Sequence, residues 1–366
     1  MFTTYSENPV IGMTNLGTLE RLLLTLRQAG LLGICLALSA VPGISAADEE
    51  SEEVADHILA AEEALNDNRY KDAATRYRQA AELSESVEVA KTATRVAYSY
   101  GFNDEAILSA LRWSELDPDD NEALLYVAQL YLRAGEIRES RKTFETLLSK
   151  SEEPMDEQLM RLIPVLARED SAYAYELMRQ LARPYRDSPY AHYAVAVLAL
   201  DADELDEAAK RAKRAVELDP EWIRPHLVYA RSLLLAGDED AAIDYTARLI
   251  GDDPDPDPEA RLELAIMLVS AGRDDDALSQ VNQVLLEQPY RTDALRLMAI
   301  INFRLERLDA AKSDFEDLLA SGNYRMDALY YLGRIADRRE ELDDAVRYYT
   351  EVTSGSNAVL ALSLIH

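Results

Sequence analysis

The sequence predicts an all-α fold made of antiparallel helix pairs stacked in series. Three observations carry this. First, apolar residues recur at helical spacing in short segments separated by tight turns. In 121–148, Leu124, Val127, Ala128 and Tyr131 share one face, Gly135 ends that helix, and Ile137, Phe144, Leu147 and Leu148 share a face of the next. Glycine suits the break because a C-terminal cap uses left-handed backbone. Second, two helices of this length cannot bury a sufficient core alone, and the chain supplies copies of the pair. Repeat starts fall near Val54, Val87, Asn121, Met155, Pro189, Ile223, Pro258, Thr292 and Met326, a period of about 34 residues. Third, small residues hold two fixed places. The eighth carries Ala61, Thr94, Ala128, Leu162, Ala196, Ala230, Ala265, Ala299 and Gly333. The twentieth carries Ala73, Ala106, Ser140, Ala174, Ala208, Ala242, Ala277, Ala311 and Ala345. Small side chains there allow close approach of the two helices.

Residues 1–47 differ from the rest. Their only charges are Glu7, Glu20, Arg21 and Arg27. An apolar run from Leu31 to Val41 follows the arginines, Pro42-Gly43 breaks it, and Ser45-Ala46-Ala47 offers small residues before Asp48. This is the pattern of a secretory signal peptide cut after Ala47, with Met1 or Met13 as the start. The run is shorter than the ~20 residues a membrane span needs, so the mature chain is expected to have no span. Cys35, the only cysteine, lies inside the run and follows Ile34, so it reads as an apolar residue and not as a lipidation site. The mature chain would then lack thiol chemistry.

Residues 48–53 form an acidic lead-in, expected to be mobile, and the array follows over 54–359. Two places depart from the pattern. The fourth repeat has Leu162 at a small position and Pro164 within its first helix, so packing is expected to bend or loosen there. Asp252 to Pro258 alternates aspartate and proline. That holds the backbone extended and argues against a calcium loop. At the end, 358–366 reads as the start of an incomplete further repeat. Its leucines are expected to be sticky without a second helix to cover them, and the chain is expected to continue beyond His366.

These features resemble the tetratricopeptide repeat family over nearly the whole array. Gly101, Gly135, Gly237 and Gly272 stand at the inter-helix turn. Tyr77, Phe144, Phe315 and Tyr349 stand in the second helix, and Pro118, Pro220, Pro254 and Pro289 at its end. The opening part is also similar to secreted repeat proteins of Gram-negative bacteria through Tyr70, Ala73, Tyr77, Ala80, Ala93, Thr94, Gly101, Ala106, Trp113 and Leu116-Asp117-Pro118. The resemblance implies a right-handed superhelical solenoid of about nine repeats that binds a protein or peptide client.

The composition narrows the function. Hydrophobic content of 48% excludes wholesale disorder. With 68 acidic and 38 basic residues the net charge is −30, which argues against a nucleic-acid backbone as partner. No phosphate loop, nucleophile elbow or zinc-protease motif is present. His57, His192 and His226 share the fourth place of their repeats, about one repeat or more apart, and read as packing residues with one exposed nitrogen. The acidic runs fall on turns, with no enclosing pocket to shift a carboxyl pKa. No catalytic residue, metal site or cofactor is assigned.

In the family the first helices line the concave surface. Carrying those places over gives a groove of Lys91, Arg95, Tyr98, Gln129, Arg133, Leu159, Tyr193, Leu227, Arg231, Arg296, Arg304, Tyr330, Arg334 and Arg338, with Ile163, Leu166, Val197, Leu200, Leu234 and Phe303 among the apolar neighbours. Arginine thus concentrates at both ends of an apolar middle and would grip carboxylates. The competing reading pairs these cations with acids of neighbouring helices such as Glu88, Glu122 or Asp337. A carboxylate clamp of the chaperone-tail type is not supported, because Arg95 and Tyr126 stand where that clamp has asparagines. Arg211 and Lys213, on a second helix, are expected on an inert outer surface. The leading expectation is a non-enzymatic periplasmic scaffold for envelope assembly. Alternatives are a structural subunit of a polysaccharide-export or secretion assembly, or the repeat arm of a larger, truncated protein.

Overall fold

The computed structural model describes residues 46–251 and 255–365. Residues 1–45 of the expected signal peptide, with its apolar run and Cys35, lie outside them, as do residues 252–254 of the aspartate-proline stretch. The chain divides into two compact units, Met1–Glu53 and Val54–His366. Of the first, only a short helical stretch from Ala46 is described. There the acidic residues 48–53, expected as a separate lead-in, are helical within α1 (Ala46–Asn66). Carboxylates in the opening turns of a helix complement its positive end, so the acidic run favours the helix it begins.

The described residues form 19 helices and no strand. After α1, the first helices of successive pairs are α3 (Val87–Ser99), α5 (Asn121–Arg133), α7 (Met155–Leu166), α9 (Pro189–Asp201), α11 (Ile223–Leu235), α13 (Pro258–Ser270), α15 (Thr292–Arg304) and α17 (Arg325–Arg338). The second helices are α2 (Tyr70–Leu83), α4 (Asn103–Leu116), α6 (Ile137–Ser149), α8 (Ser171–Leu181), α10 (Leu205–Leu218), α12 (Glu239–Gly251), α14 (Asp274–Glu287), α16 (Leu308–Ser321) and α18 (Leu342–Thr350). Outside the fourth pair, each helix from α2 to α18 packs chiefly on its neighbours in the chain. The core is therefore a string of local clusters, as an array of repeats requires.

The turn inside a pair needs one residue in left-handed backbone. Gly101, Gly135, Gly237 and Gly272 supply it with φ between 72° and 90°. Asn68, Asp203, Glu306 and Glu340 occupy the same position with φ between 57° and 62°. Asparagine and aspartate tolerate this backbone better than other side chains, whereas Glu306 and Glu340 pay a conformational cost that glycine does not.

Outside the fourth pair, the two small positions lie where the helices of a pair pack together. Ser140 Oγ donates to the Ala128 carbonyl at 2.8 Å, so one hydrogen bond joins the eighth place to the twentieth. Every alanine at these places is buried. At Gly333 a Cβ would lie 2.5 Å from the Tyr349 ring, so glycine admits the tyrosine of the following helix.

The fourth pair is different. Leu162 is buried at the eighth place, and Pro164 lies inside a continuous α7. Its turn carries no left-handed residue. α7 and α8 scarcely touch: α7 packs mainly on α9, and α8 on α9 and α6. A leucine in place of a small residue holds the two helices apart, and each takes a partner from a neighbouring repeat. The last described helix, α19 (Ala358–Ile365), buries Ala361 completely and leaves Val359, Leu360, Leu362 and Leu364 exposed.

Candidate functional site

The cations assigned to the groove lie on the first helices, and most are paired across repeats. Arg95 donates through Nε and Nη2 to Glu122 Oε1 at 3.1 and 2.6 Å, and Lys91 lies 3.5 Å from the same carboxylate. Arg133 grips Glu169 with two bonds of 2.6 and 2.9 Å, and Gln129 adds a third at 3.4 Å. A further N–H of Arg133 donates to Tyr98 Oη at 2.6 Å, and its guanidinium lies 4.2 Å over the Tyr98 ring. The bonds to Glu169 raise the Arg133 pKa, while burial raises that of Tyr98. Arg231 grips Glu263 with bonds of 2.9 and 2.6 Å. Arg296 donates to Asp327 at 2.6 Å, Arg304 to Asp274 at 2.7 Å, and Arg338 to Glu306.

These partners stand in the adjacent repeat, so the pairs tie successive repeats together. Of the three acids considered from sequence, Glu122 is a partner, whereas Glu88 and Asp337 form no ion pair among the described residues. Glu169 and Glu263 are nearly buried, with side chains 4% and 8% exposed. A carboxylate so far from water needs its cation. These arginines therefore have a structural role before any binding role.

Arg334 is held differently. Its Nη1 donates to Tyr330 Oη at 2.9 Å, and its guanidinium lies 5.4 Å over Phe303 and 5.7 Å from the Tyr330 ring centre. It has no carboxylate partner among the described residues.

The apolar middle needs correction. Leu159 and Leu166 are completely buried, Val197 is buried, and so is Tyr330 at the far end. With α7 packed on α9 instead of α8, Leu159, Leu166 and Val197 fill the space between repeats and present nothing to a partner, while Tyr330 packs into the core of the last pair. Tyr193 and Leu227 are half-buried and keep surface on this side, Tyr193 packing 4.7 Å from the Trp222 ring.

The histidines also differ from expectation, because both nitrogens of two of them are engaged. His192 Nε2 lies 2.9 Å from the Arg186 carbonyl and His226 Nε2 2.9 Å from the Pro220 carbonyl. Each therefore donates to a carbonyl six residues back and latches the connection that leads into its repeat. Nδ1 of His226 accepts from Tyr245 Oη at 2.6 Å, and Nδ1 of His192 faces Arg211 at 3.4 Å.

The largest surprise lies on the second helices. Arg211 and Lys213, expected on an inert surface, line a cleft of about 1090 Å³ between α6, α8, the connection after α8, and α10. Eight lysines and arginines line it against one acid, Glu217. A sequence signal existed. Arg179, Arg183 and Arg186 form one basic run and Lys210 to Arg214 another, one repeat apart in a chain of net charge −30.

Family models described as tetratricopeptide repeat match residues 122–151, 233–301 and 297–358. This is a tetratricopeptide repeat protein. No curated protein matches the chain. Among solved structures, the type IV pilus biogenesis factor PilW is similar at 16% identity, covering 58% of this chain and 99% of its own, with a TM-score of 0.49. Human IFIT1 is similar at 14% identity, 88% and 85% coverage and a TM-score of 0.49. Yeast Tom70 is similar at 14% identity, 86% and 95% coverage and a TM-score of 0.44. Tetratricopeptide repeats are typically protein-interaction scaffolds and generally not enzymes, and the stacked helix pairs described above are that scaffold.

Proposed function

We propose that this tetratricopeptide repeat protein is a non-enzymatic scaffold. It holds a peptide or protein client along the face of its first helices, in the periplasm after removal of its signal peptide, and serves cell-envelope assembly. The observation that carries the reading is Arg334. Its guanidinium is oriented by Tyr330 and Phe303 and bears no carboxylate of its own. A cation held beside rings and by a hydroxyl keeps N–H groups for a client carboxylate at little further ordering cost. Half-buried Tyr193 and Leu227 supply apolar contact on the same side. The paired arginines, such as Arg95 and Arg133, support the binding face by fixing the spacing of the repeats. The exposed apolar residues of α19 offer a route to self-association.

Photo-crosslinking in cells tests the reading. A crosslinking residue is placed at Leu227, and in a second protein at Lys312 on α16, a second helix away from the basic cleft. The expected result is a discrete adduct from position 227 alone, weakened severalfold by Arg334→Glu. Adducts from position 312 alone would overturn the assignment of the face. Fractionation with N-terminal sequencing tests the address: a mature chain that keeps Leu31 to Val41 in the membrane fraction sinks the soluble periplasmic reading.

A further inference from the structure

The basic cleft on the second helices is a local reversal of charge in an acidic molecule. Its cations fall into two groups. Arg141, Arg179, Lys210, Arg211 and Arg214 pair with glutamates of their own helices, Glu145, Glu176, Glu207 and Glu217, and Arg214 also lies 3.7 Å from Asp187. Such pairs at one helical turn hold the guanidinia in place and leave N–H groups unspent. Arg183, Arg186 and Lys213 are exposed and have no carboxylate partner among the described residues. Arg183 and Arg186 sit on the connection between α8 and α9, and Lys213 faces them from α10. The His192 bond to the Arg186 carbonyl fixes that connection against the start of α9. The cleft is thus formed before any ligand arrives.

We propose that this cleft is a second binding site, separate from the first-helix face, and that it takes a short acidic peptide segment of a partner protein. Three unneutralised cations within one cleft require a ligand with several negative groups. A volume of about 1090 Å³ exceeds what a single small anion fills. Arginine forks favour carboxylates met in pairs. The chain's net charge of −30 decides between classes of polyanion. At physiological salt the Debye length is about 8 Å, so a ligand confined to the cleft feels mainly the local cations. A nucleic acid would run past the cleft on to acidic surface, where its phosphates are repelled.

The test is fluorescence anisotropy with the full chain and a labelled, end-capped octapeptide of alternating glutamate and glycine. The variant Arg183→Glu with Lys213→Glu is compared with Lys142→Glu with Lys312→Glu, which changes net charge equally outside the cleft. The milder Arg183→Gln with Lys213→Gln guards against misfolding, and circular dichroism melting confirms each fold. The expected result is saturable binding that weakens at least tenfold in the cleft glutamate variant, severalfold in the glutamine variant and under twofold in the control, with affinity falling as salt rises. Equal loss in cleft and control variants, or no binding of the peptide at low salt, overturns the site. Tighter binding of a single-stranded oligonucleotide of equal charge than of the peptide overturns the ligand class.

Discussion

The first-helix face and the second-helix cleft both concentrate cations, and they use them in opposite ways. On the first-helix face Arg95, Arg133, Arg231, Arg296, Arg304 and Arg338 each meet an acid of the adjacent repeat. In the cleft the paired cations find acids mostly within their own helix, and three others find none. A pair across repeats joins two units of the array. A pair one turn apart on a single helix joins nothing and only orients a side chain. The position of an arginine in a repeat therefore says less about its role than the location of its acid.

The largest contrast between the faces should appear in stability. Arg133→Ala leaves Glu169 buried without its cation and is expected to cost about 3 kcal/mol. Lys213→Ala, on an exposed cleft residue, should stay within about 0.5 kcal/mol. Urea unfolding followed by hydrogen exchange checks this, since an array need not unfold in one step. Equal losses in the two variants would remove the distinction between joining and orienting cations.

Outside the fourth repeat, the two faces are held together by the small positions. Gly333→Ala is expected to cost about 1–3 kcal/mol, because its Cβ would meet the buried Tyr349 ring. The effect should be confined to the last repeats, as loss of amide protection in α17 and α18. An unchanged melting curve would show that the ring moves aside freely.

The smallest effect concerns pH and belongs to the cleft. Burial holds the His192 pKa below its ordinary value of 6.5, against the opposing bond to the Arg186 carbonyl. The folded state keeps His192 neutral while the unfolded chain takes up a proton below about pH 6.5. Its contribution is therefore fully present above that pH and is lost as pH falls through the lowered folded value. His192→Gln keeps a donor for the carbonyl and removes the titration. The variant should lose less stability than the parent between neutral pH and about pH 5, a window above most carboxyl titrations. Matching slopes would exclude His192 as the source.

Much of the architecture was legible. Helical spacing, the 34-residue period and the small residues at two places depend on contacts within one pair or between neighbours, and the same requirement recurs in each repeat. The left-handed turn was legible at glycine; Asn68 and Asp203 carry a weaker mark of it, and Glu306 and Glu340 carry none. The candidate site was less legible. The places of Arg95, Arg133 and Arg334 on the first helices followed from register. That Arg133 is consumed by Glu169 and Arg334 is not did not follow, because Glu169 lies in a turn 36 residues away.

By itself, then, the sequence determined what repetition enforces: helix pairs, their boundaries, and the small residues where two helices cross. Tertiary structure alone decided which charges are spent and which are left. It also decided that Leu159 and Tyr330 are core and not surface, and that two basic runs one repeat apart converge on a single cleft. The physical reason is range. A local pattern is written within a turn or two of helix, whereas the partner of a charge is set by how one repeat packs on the next, and the fourth repeat changes that packing through a leucine at a small position.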